Sequence, residues 1–191
     1  MLKNLQFTLT TVFVFIALSV RFFFLLGGYF GSSRIDFCQG DAEMEIKTRR
    51  ELAFFSGTAI GPRFPGFKYE DNSGERVVSI SKPVSCLSSD KSEARKVYFN
   101  GGCYFSARES DQLNDSKVLW EYAGGSDVAP AVVGCNVGRG RAVLCGVHPE
   151  VGVEDLGNSQ HLDSVISEMK QHDSDRMQVL DDVFMFLEGV S

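Results

Sequence analysis

A short apolar hairpin that leads into a histidine and a carboxylate constrains the fold of this chain more than any other feature. The apolar runs 131–135 and 141–145 flank the Gly-Arg-Gly turn 138–140, whose glycines can adopt positive φ. His148 and Glu150 follow, two residues apart. In an acyl-transfer triad a histidine moves the proton and a carboxylate fixes its tautomer, so the pair predicts two members of such a triad. Taken alone, the same pair also fits a surface histidine before a turn-forming proline.

The rest of the sequence predicts short strands and a C-terminal helix. Strands are indicated by β-branched and aromatic runs at 77–80, 97–99 and 118–122, and the two prolines of 61–66 indicate a loop. A short helix is expected around 162–169. The last helix is expected to present one apolar stripe and to stop at Gly189. The predicted stripe consists of Val179, Leu180, Val183, Phe184 and Leu187. The expected N-terminal capping residues are Asp173, Ser174 and Asp175.

Charge and cysteine usage narrow the function. The net charge of −6 disfavours a nucleic-acid partner, since no basic cluster is present to neutralise phosphates. The cysteines have irregular spacing and no C-x-x-C, so neither a structural zinc site nor a disulfide framework is predicted, and reduced thiols are expected. They are Cys38, Cys86, Cys103, Cys135 and Cys145. His161 and His172 lack matching ligands, so no metal and no cofactor are predicted.

Residues 1–26 differ from the remainder and are treated as a separate segment from 27–191. Residues 4–20 carry no charge and would span about 26 Å as a helix, slightly short of a bilayer core. They predict either a signal anchor or an atypical start joined to a globular domain, to which they could contribute one strand. The expected location is cytoplasmic, with a membrane-anchored lumenal domain as the alternative. In that alternative, Asn114 of the sequon 114–116 would carry glycan.

Four blocks in order carry a resemblance to a known family. The blocks are 27–37, 50–62, 98–105 and 131–150. The last of them, the hairpin and His-Pro-Glu segment, resembles class I glutamine amidotransferase-like domains, and the four blocks together resemble more narrowly the amidotransferase-like N-terminal domain of eukaryotic-type biotin–protein ligases. The resemblance implies an α/β fold. It would be a partial, flavodoxin-like, doubly wound class I amidotransferase-like domain with a β-hairpin insertion and a C-terminal helix.

The chain departs from that family where the nucleophile belongs. Family members carry a Gly-x-Cys-x-Gly elbow just before the Gly-Gly-Tyr-Phe-like segment, and here Leu25 stands at the cysteine and Phe23 at the first glycine. Cys103, Cys135 and Cys145 lack an elbow pattern and are expected to be small buried apolar residues. Little sequence precedes the elbow position, so an N-terminal truncation of the family domain is expected.

These observations predict a catalytically incompetent domain with a binding or regulatory role. His148 and Glu150 would be remnant triad residues, and the partner would be a biotin–protein ligase catalytic domain or a small carboxamide ligand. No ligase catalytic domain is expected within the sequence. An alternative is an amidotransferase or hydrolase that uses Cys103 or Cys145 with His148.

Two glycine-rich stretches have competing interpretations. Asn100, Gly101 and Gly102 could present N–H groups to an anionic ligand, or form a tight turn that needs glycine. The sequence Gly-Arg-Gly-Arg at 138–141 is similar to the biotin-binding loop of ligase catalytic domains, but its place in a hairpin turn indicates that the similarity is a coincidence.

Overall fold

The computed structural model describes residues 16–18, 21–27, 32–37, 52–67, 74–83, 93–107, 115–124, 128–156 and 162–190. Within the first three ranges only the backbone is described, apart from Ser32. The strands are β1 (Ile16–Leu18), β2 (Arg21–Gly27), β3 (Ser32–Phe37), β4 (Phe55–Gly61), β5 (Arg76–Ser81), β6 (Arg95–Phe99), β7 (Tyr104–Ser106), β8 (Ser116–Tyr122), β9 (Ala129–Val137) and β10 (Gly140–Cys145). A 3-10 turn (Val153–Asp155) precedes the helices α1 (Asp163–Gln171) and α2 (Asp173–Glu188).

The described strands form two sheets. Seven strands pair in the order β1-β2-β10-β9-β8-β5-β6, and three in the order β3-β4-β7. The pairings of β2 with β10 and of β3 with β4 are parallel, and all the others are antiparallel. The α/β class is therefore confirmed, with mainly antiparallel sheets and two C-terminal helices. The doubly wound arrangement stays a prediction.

The hairpin prediction is confirmed. β9 and β10 pair antiparallel, with Gly140 opposite Val137, and Gly138 takes a φ of 58° in the turn. From Ala142 to Cys145 every side chain of β10 is buried, as expected for a central strand that is covered on both faces. The predicted strands at 77–80, 97–99 and 118–122 lie within β5, β6 and β8.

Residues 16–18 and 21–27 form strands, and β2 joins the large sheet beside β10. Phe23 lies opposite Arg141 and Gly27 opposite Cys145 in the register of these parallel strands. In the part of the chain that the structure describes, no helix is both long and apolar enough to cross a membrane. Asn114 lies outside the described residues.

The C-terminal helix is confirmed, but two details of its prediction are wrong. Phe184 is exposed and Phe186 is buried instead, together with Val179, Val183 and Leu187. No side chain caps its N-terminus. Asp175 instead accepts a hydrogen bond from the backbone N–H of Lys96 (2.9 Å), on the edge strand β6. The C-terminal prediction is right, because Gly189 is left-handed and its N–H bonds to the carbonyls of Met185 and Phe186.

Candidate functional site

The candidate site begins where β10 ends and the chain crosses to β6. The N–H of Gly146 donates to Ala131 O (2.8 Å), and two residues later the N–H of His148 donates to Tyr98 O (2.9 Å). The second bond forms an isolated antiparallel bridge between His148 and Tyr98. The large sheet thus curls until its edge strand meets the extension of β10, and this fixes the backbone of His148.

His148 and Glu150 are brought together as the sequence predicts. Nδ1 of His148 lies 2.8 Å from Oε1 of Glu150, and the two side chains are 17% and 18% exposed. The Tyr98 ring lies beside the imidazole, with ring centroids 6.0 Å apart. Because a carboxylate accepts the Nδ1 proton, the neutral imidazole keeps Nε2 as an acceptor for another group.

A close contact between two glycines sets the loop after β6 against the loop after β10. A Cβ on Gly102 would overlap the carbonyl oxygen of Gly146, and a Cβ on Gly146 would overlap that of Cys103. The Tyr122 hydroxyl lies 2.8 Å from both the Cys103 and the Gly146 carbonyl oxygens, and it is buried. Glycine is therefore required here by the approach of two backbones.

The Asn100 loop has internal partners. The Asn100 side-chain amide donates to Oε1 of Glu75 (3.1 Å), and the Tyr98 hydroxyl donates to the same oxygen (2.7 Å). Burial and the Glu75 carboxylate both raise the pKa of Tyr98. Gly101 takes a φ of 64°, and the Phe67 ring fills the space that a side chain would need. The tight-turn interpretation accounts for these contacts, and the ligand role of residues 100–102 stays a prediction.

The described thiols are poor nucleophiles. Cys103 and Cys135 have no exposed surface, and Cys145 is 6% exposed. Burial raises the pKa of Cys103, and it raises that of Cys135 to about 11. Burial also raises the pKa of Cys145, with smaller contributions from Glu150 and Cys103. Because the thiolate is the attacking species, these environments disfavour the enzyme alternative. Cys38 and Cys86 lie outside the described residues.

Comparison with known proteins decides the family. The family model described as "Biotin-protein ligase, N terminal" matches residues 21–189. The chain belongs to this family. It is 38% identical over 129 residues to a biotin–protein ligase of Schizosaccharomyces pombe. The matched residues make up 67% of this chain and 20% of the ligase. It is also 29% identical over 125 residues to an uncharacterized protein of Chlamydia muridarum, and these residues make up 65% of this chain and 45% of that protein.

The chain thus spans a fifth of the ligase and less than half of the chlamydial protein. No solved structure matches it significantly.

Within this biotin–protein ligase N-terminal domain, the backbone at Leu25 does not form an elbow. Leu25 lies inside β2 opposite Val143, and the strand continues to Gly27. A nucleophile elbow would instead require a sharp strand-to-helix turn at that position.

Sequence reasoning missed three residues that shape the site. The sequence places Tyr122 only in a strand and Arg63 only in a loop, and it gives Glu75 no role. The Arg63 guanidinium lies 5.3 Å from the Tyr104 ring centroid and 5.7 Å from that of Tyr122, and its backbone N–H bonds to Gly102 O. The aromatic run that contains Tyr122 is a sequence signal for a buried tyrosine, whereas no residue near Glu75 in the sequence indicates the role of its carboxylate.

The Gly-Arg-Gly-Arg stretch lies at the hairpin turn, as predicted, and its last residue contacts α2. Arg141 donates to the carbonyl oxygen of Phe186 (2.6 Å) at the end of α2, and its guanidinium lies over the Phe186 ring. The described residues contain no group of three or more side chains suited to hold a metal ion.

Proposed function

We propose that this domain is a non-catalytic member of its family, a pseudoenzyme that binds a ligand or regulates a ligase. The observation that carries the proposal is the His148–Glu150 pair, held at 2.8 Å while the nearby thiols of Cys103 and Cys145 are buried. The pair keeps the geometry of a general base and its orienting carboxylate. Since burial keeps these thiols protonated, the pair has no described nucleophile to activate.

The chemistry of the pair favours a small carboxamide as ligand. With Nδ1–H directed to Glu150, Nε2 of His148 accepts a hydrogen bond, which an amide N–H can donate. The Tyr98 ring beside the imidazole adds an apolar wall. A ligase is the second expected partner, because the Schizosaccharomyces pombe relative is a biotin–protein ligase.

We also propose that the fold is a partial class I glutamine amidotransferase-like domain and that it acts in the cytoplasm. The parallel pairing of β2 and β10 supports the fold assignment, since Gly27 and Cys145 lie opposite each other at the carboxyl ends of these strands. In open α/β sheets, ligands bind outside the carboxyl ends of parallel strands. The segment that carries His148 leaves the sheet at this edge.

An NMR titration with L-glutamine tests the proposal. The imidazole C–H signals of His148 are assigned by comparison with His148→Gln and followed as L-glutamine is added, while His172 in the same spectra serves as an internal control. We expect the His148 signals to shift saturably, those of His172 to stay in place, and Glu150→Gln to weaken the response. Ammonia release is measured in parallel and is expected to be absent.

Two results would overturn this proposal. If ammonia is released from L-glutamine and the release is lost in Cys103→Ala or Cys145→Ala, the domain is an enzyme. If His148 does not respond, or responds no more than His172, the carboxamide ligand is wrong.

A further inference from the structure

The outward face of α2 is unusually apolar for a surface helix. In the described residues six large apolar side chains are exposed, and four of them belong to α2 or follow it within two residues. They are Met177 (44% exposed), Phe184 (36%), Met185 (44%) and Val190 (67%). Residues seven and eight apart lie on one side of a helix, so Met177, Phe184 and Met185 form one stripe.

The opposite side of α2 is already used. Val179, Val183, Phe186 and Leu187 are buried against the large sheet. A helix that only covers a sheet needs one apolar face and keeps charged groups on the other. Contiguous exposed apolar side chains, methionines among them, are typical of protein–protein contact surfaces. We call the exposed face formed by Met177, Asp181, Phe184, Met185 and Glu188 the α2 outer face.

The charges on this face favour a basic partner. Asp181 lies four residues from both Met177 and Met185, and Glu188 lies four residues after Phe184, so both acids share the side of the apolar stripe. Neither acid forms an ion pair in the described part of the chain. By contrast, Asp173 pairs with Arg176 and Asp182 pairs with Lys82. A surface that combines apolar side chains with Lys or Arg would complement the α2 outer face.

The family match indicates where in a ligase such a partner surface would lie. The family is the N-terminal part of biotin–protein ligases, and the match ends at residue 189, directly after α2. In the Schizosaccharomyces pombe ligase the matched part is only 20% of the protein. The polypeptide that follows the family module in a ligase therefore starts beside the C-terminal end of this face.

We infer that the α2 outer face docks onto a basic, apolar surface in the part of a biotin–protein ligase that lies outside the family module. This inference rests on the proposed regulatory role towards a ligase. The occupant is a protein surface, and a second copy of this chain is disfavoured because two such faces would bring Asp181 and Glu188 of each copy together.

Binding to the full-length Schizosaccharomyces pombe ligase tests the inference. The whole chain is immobilised, and the Kd of the ligase is measured at low and high salt for the unaltered chain, Phe184→Ser and Asp181→Lys. The control variant is Val128→Ser, because Val128 is 71% exposed but directly precedes β9 and is not part of the α2 outer face. We expect each α2 variant to raise the Kd about tenfold or more, Val128→Ser to leave it unchanged, and added salt to weaken binding.

Cross-linking locates the contact. A photoreactive phenylalanine analogue at position 184 is expected to give adducts in the part of the ligase outside the family module. Absence of binding, an equal loss in Val128→Ser, or adducts confined to the ligase's own family module would overturn the inference. A dimer of this chain that Phe184→Ser dissolves, seen by sedimentation, would replace the ligase with a second copy.

The response of His148 to L-glutamine is measured on the same variants, which separates this inference from the proposed function. If Phe184→Ser keeps the His148 response but no variant changes ligase binding, only the docking inference fails. If docking behaves as expected but His148 is silent, only the carboxamide ligand fails.

Discussion

The two ends of β10 are both rich in glycine, but they need glycine for different reasons. At the turn that precedes β10, Gly138 has a φ of 58° and no atom within 4 Å of an added Cβ. After the strand, Gly146 has ordinary φ, yet an added Cβ would overlap the Cys103 carbonyl and lie 2.9 Å from the Tyr122 hydroxyl. The first end follows from local backbone preference, and the second from the packing of distant segments.

Among single substitutions, the largest expected effect is that of Gly146→Ala, compared here with Gly138→Ala. Gly146→Ala must push apart the 102–103 and 146 backbones, and overpacking of this kind costs about 1–3 kcal/mol or more of the unfolding free energy. Gly138→Ala pays only for a left-handed residue, about 1 kcal/mol. Urea unfolding of both variants measures the difference. Equal losses of unfolding free energy in the two variants would show that the backbones at 102–103 and at 146 are not tightly packed.

Alkaline pH tests the buried end through its thiols. Burial raises the pKa of Cys135 to about 11 and also raises those of Cys103 and Cys145. Between the unfolded thiol pKa of about 8.5 and these raised values, the folded state holds more protons than the unfolded state. Stability is therefore fully present below that range and falls as pH rises, by up to about 1.4 kcal/mol per pH unit for each thiol.

Unfolding free energies between about pH 8 and pH 10.5 measure this slope, and the buried hydroxyl of Tyr122 acts in the same direction. Cys135→Ala is expected to lower the steepness of this slope by up to about 1.4 kcal/mol per pH unit, which corresponds to one proton. A flat profile for the unaltered chain would contradict the buried, protonated state of the thiols.

Removing one hydroxyl sharpens the comparison further. In Tyr122→Phe the Cys103 and Gly146 carbonyls lose the buried donor that lies 2.8 Å from each. An unsatisfied buried acceptor costs about 1–3 kcal/mol. Tyr104→Phe is the matched control, because Tyr104 is only half-buried and its hydroxyl bonds to no described residue. If the two variants unfold at the same temperature, the Tyr122 hydroxyl does not stabilise the contact between the loops at 102–103 and 146.

The smallest effect belongs to the exposed end of the hairpin. Arg141→Ala removes the hydrogen bond to Phe186 O and a positive charge at the C-terminus of α2, at a cost of about 1 kcal/mol. Arg139 is exposed and forms no hydrogen bond or ion pair with the described residues, so Arg139→Ala should stay within about 0.5 kcal/mol. Chemical denaturation of the pair decides whether the stretch at 138–141 ties the hairpin to the helix.

The same contrast explains what could be read from the sequence. The turn at Gly138, the strands around it and the left-handed Gly189 were predictable, because each depends on neighbouring residues. The spacing of His148 and Glu150 in the sequence also predicts their pairing, but the pair forms within a turn, since Pro149 and Glu150 are turn residues and the N–H of Val151 donates to His148 O (3.2 Å).

What could not be read depends on contacts between distant segments. Nothing near Asp175 indicates that it bonds to the edge strand at Lys96 instead of capping its helix. Periodicity predicts a buried Phe184, but this side chain is exposed, because α2 is apolar on two sides and periodicity alone does not choose the buried one. The internal use of Asn100 depends on Glu75, which lies directly before β5, 25 residues earlier in the sequence.

Thiol labelling tests the central claim, that the His148–Glu150 pair has no nucleophile among the described cysteines. The native chain is treated with iodoacetamide at neutral pH, and labelling at each cysteine is followed by mass spectrometry for the unaltered chain and His148→Ala. We predict that Cys103, Cys135 and Cys145 are labelled only after unfolding, and that no cysteine reacts at a rate that depends on His148. A fast-reacting cysteine that His148→Ala slows would contradict the account and restore an enzyme.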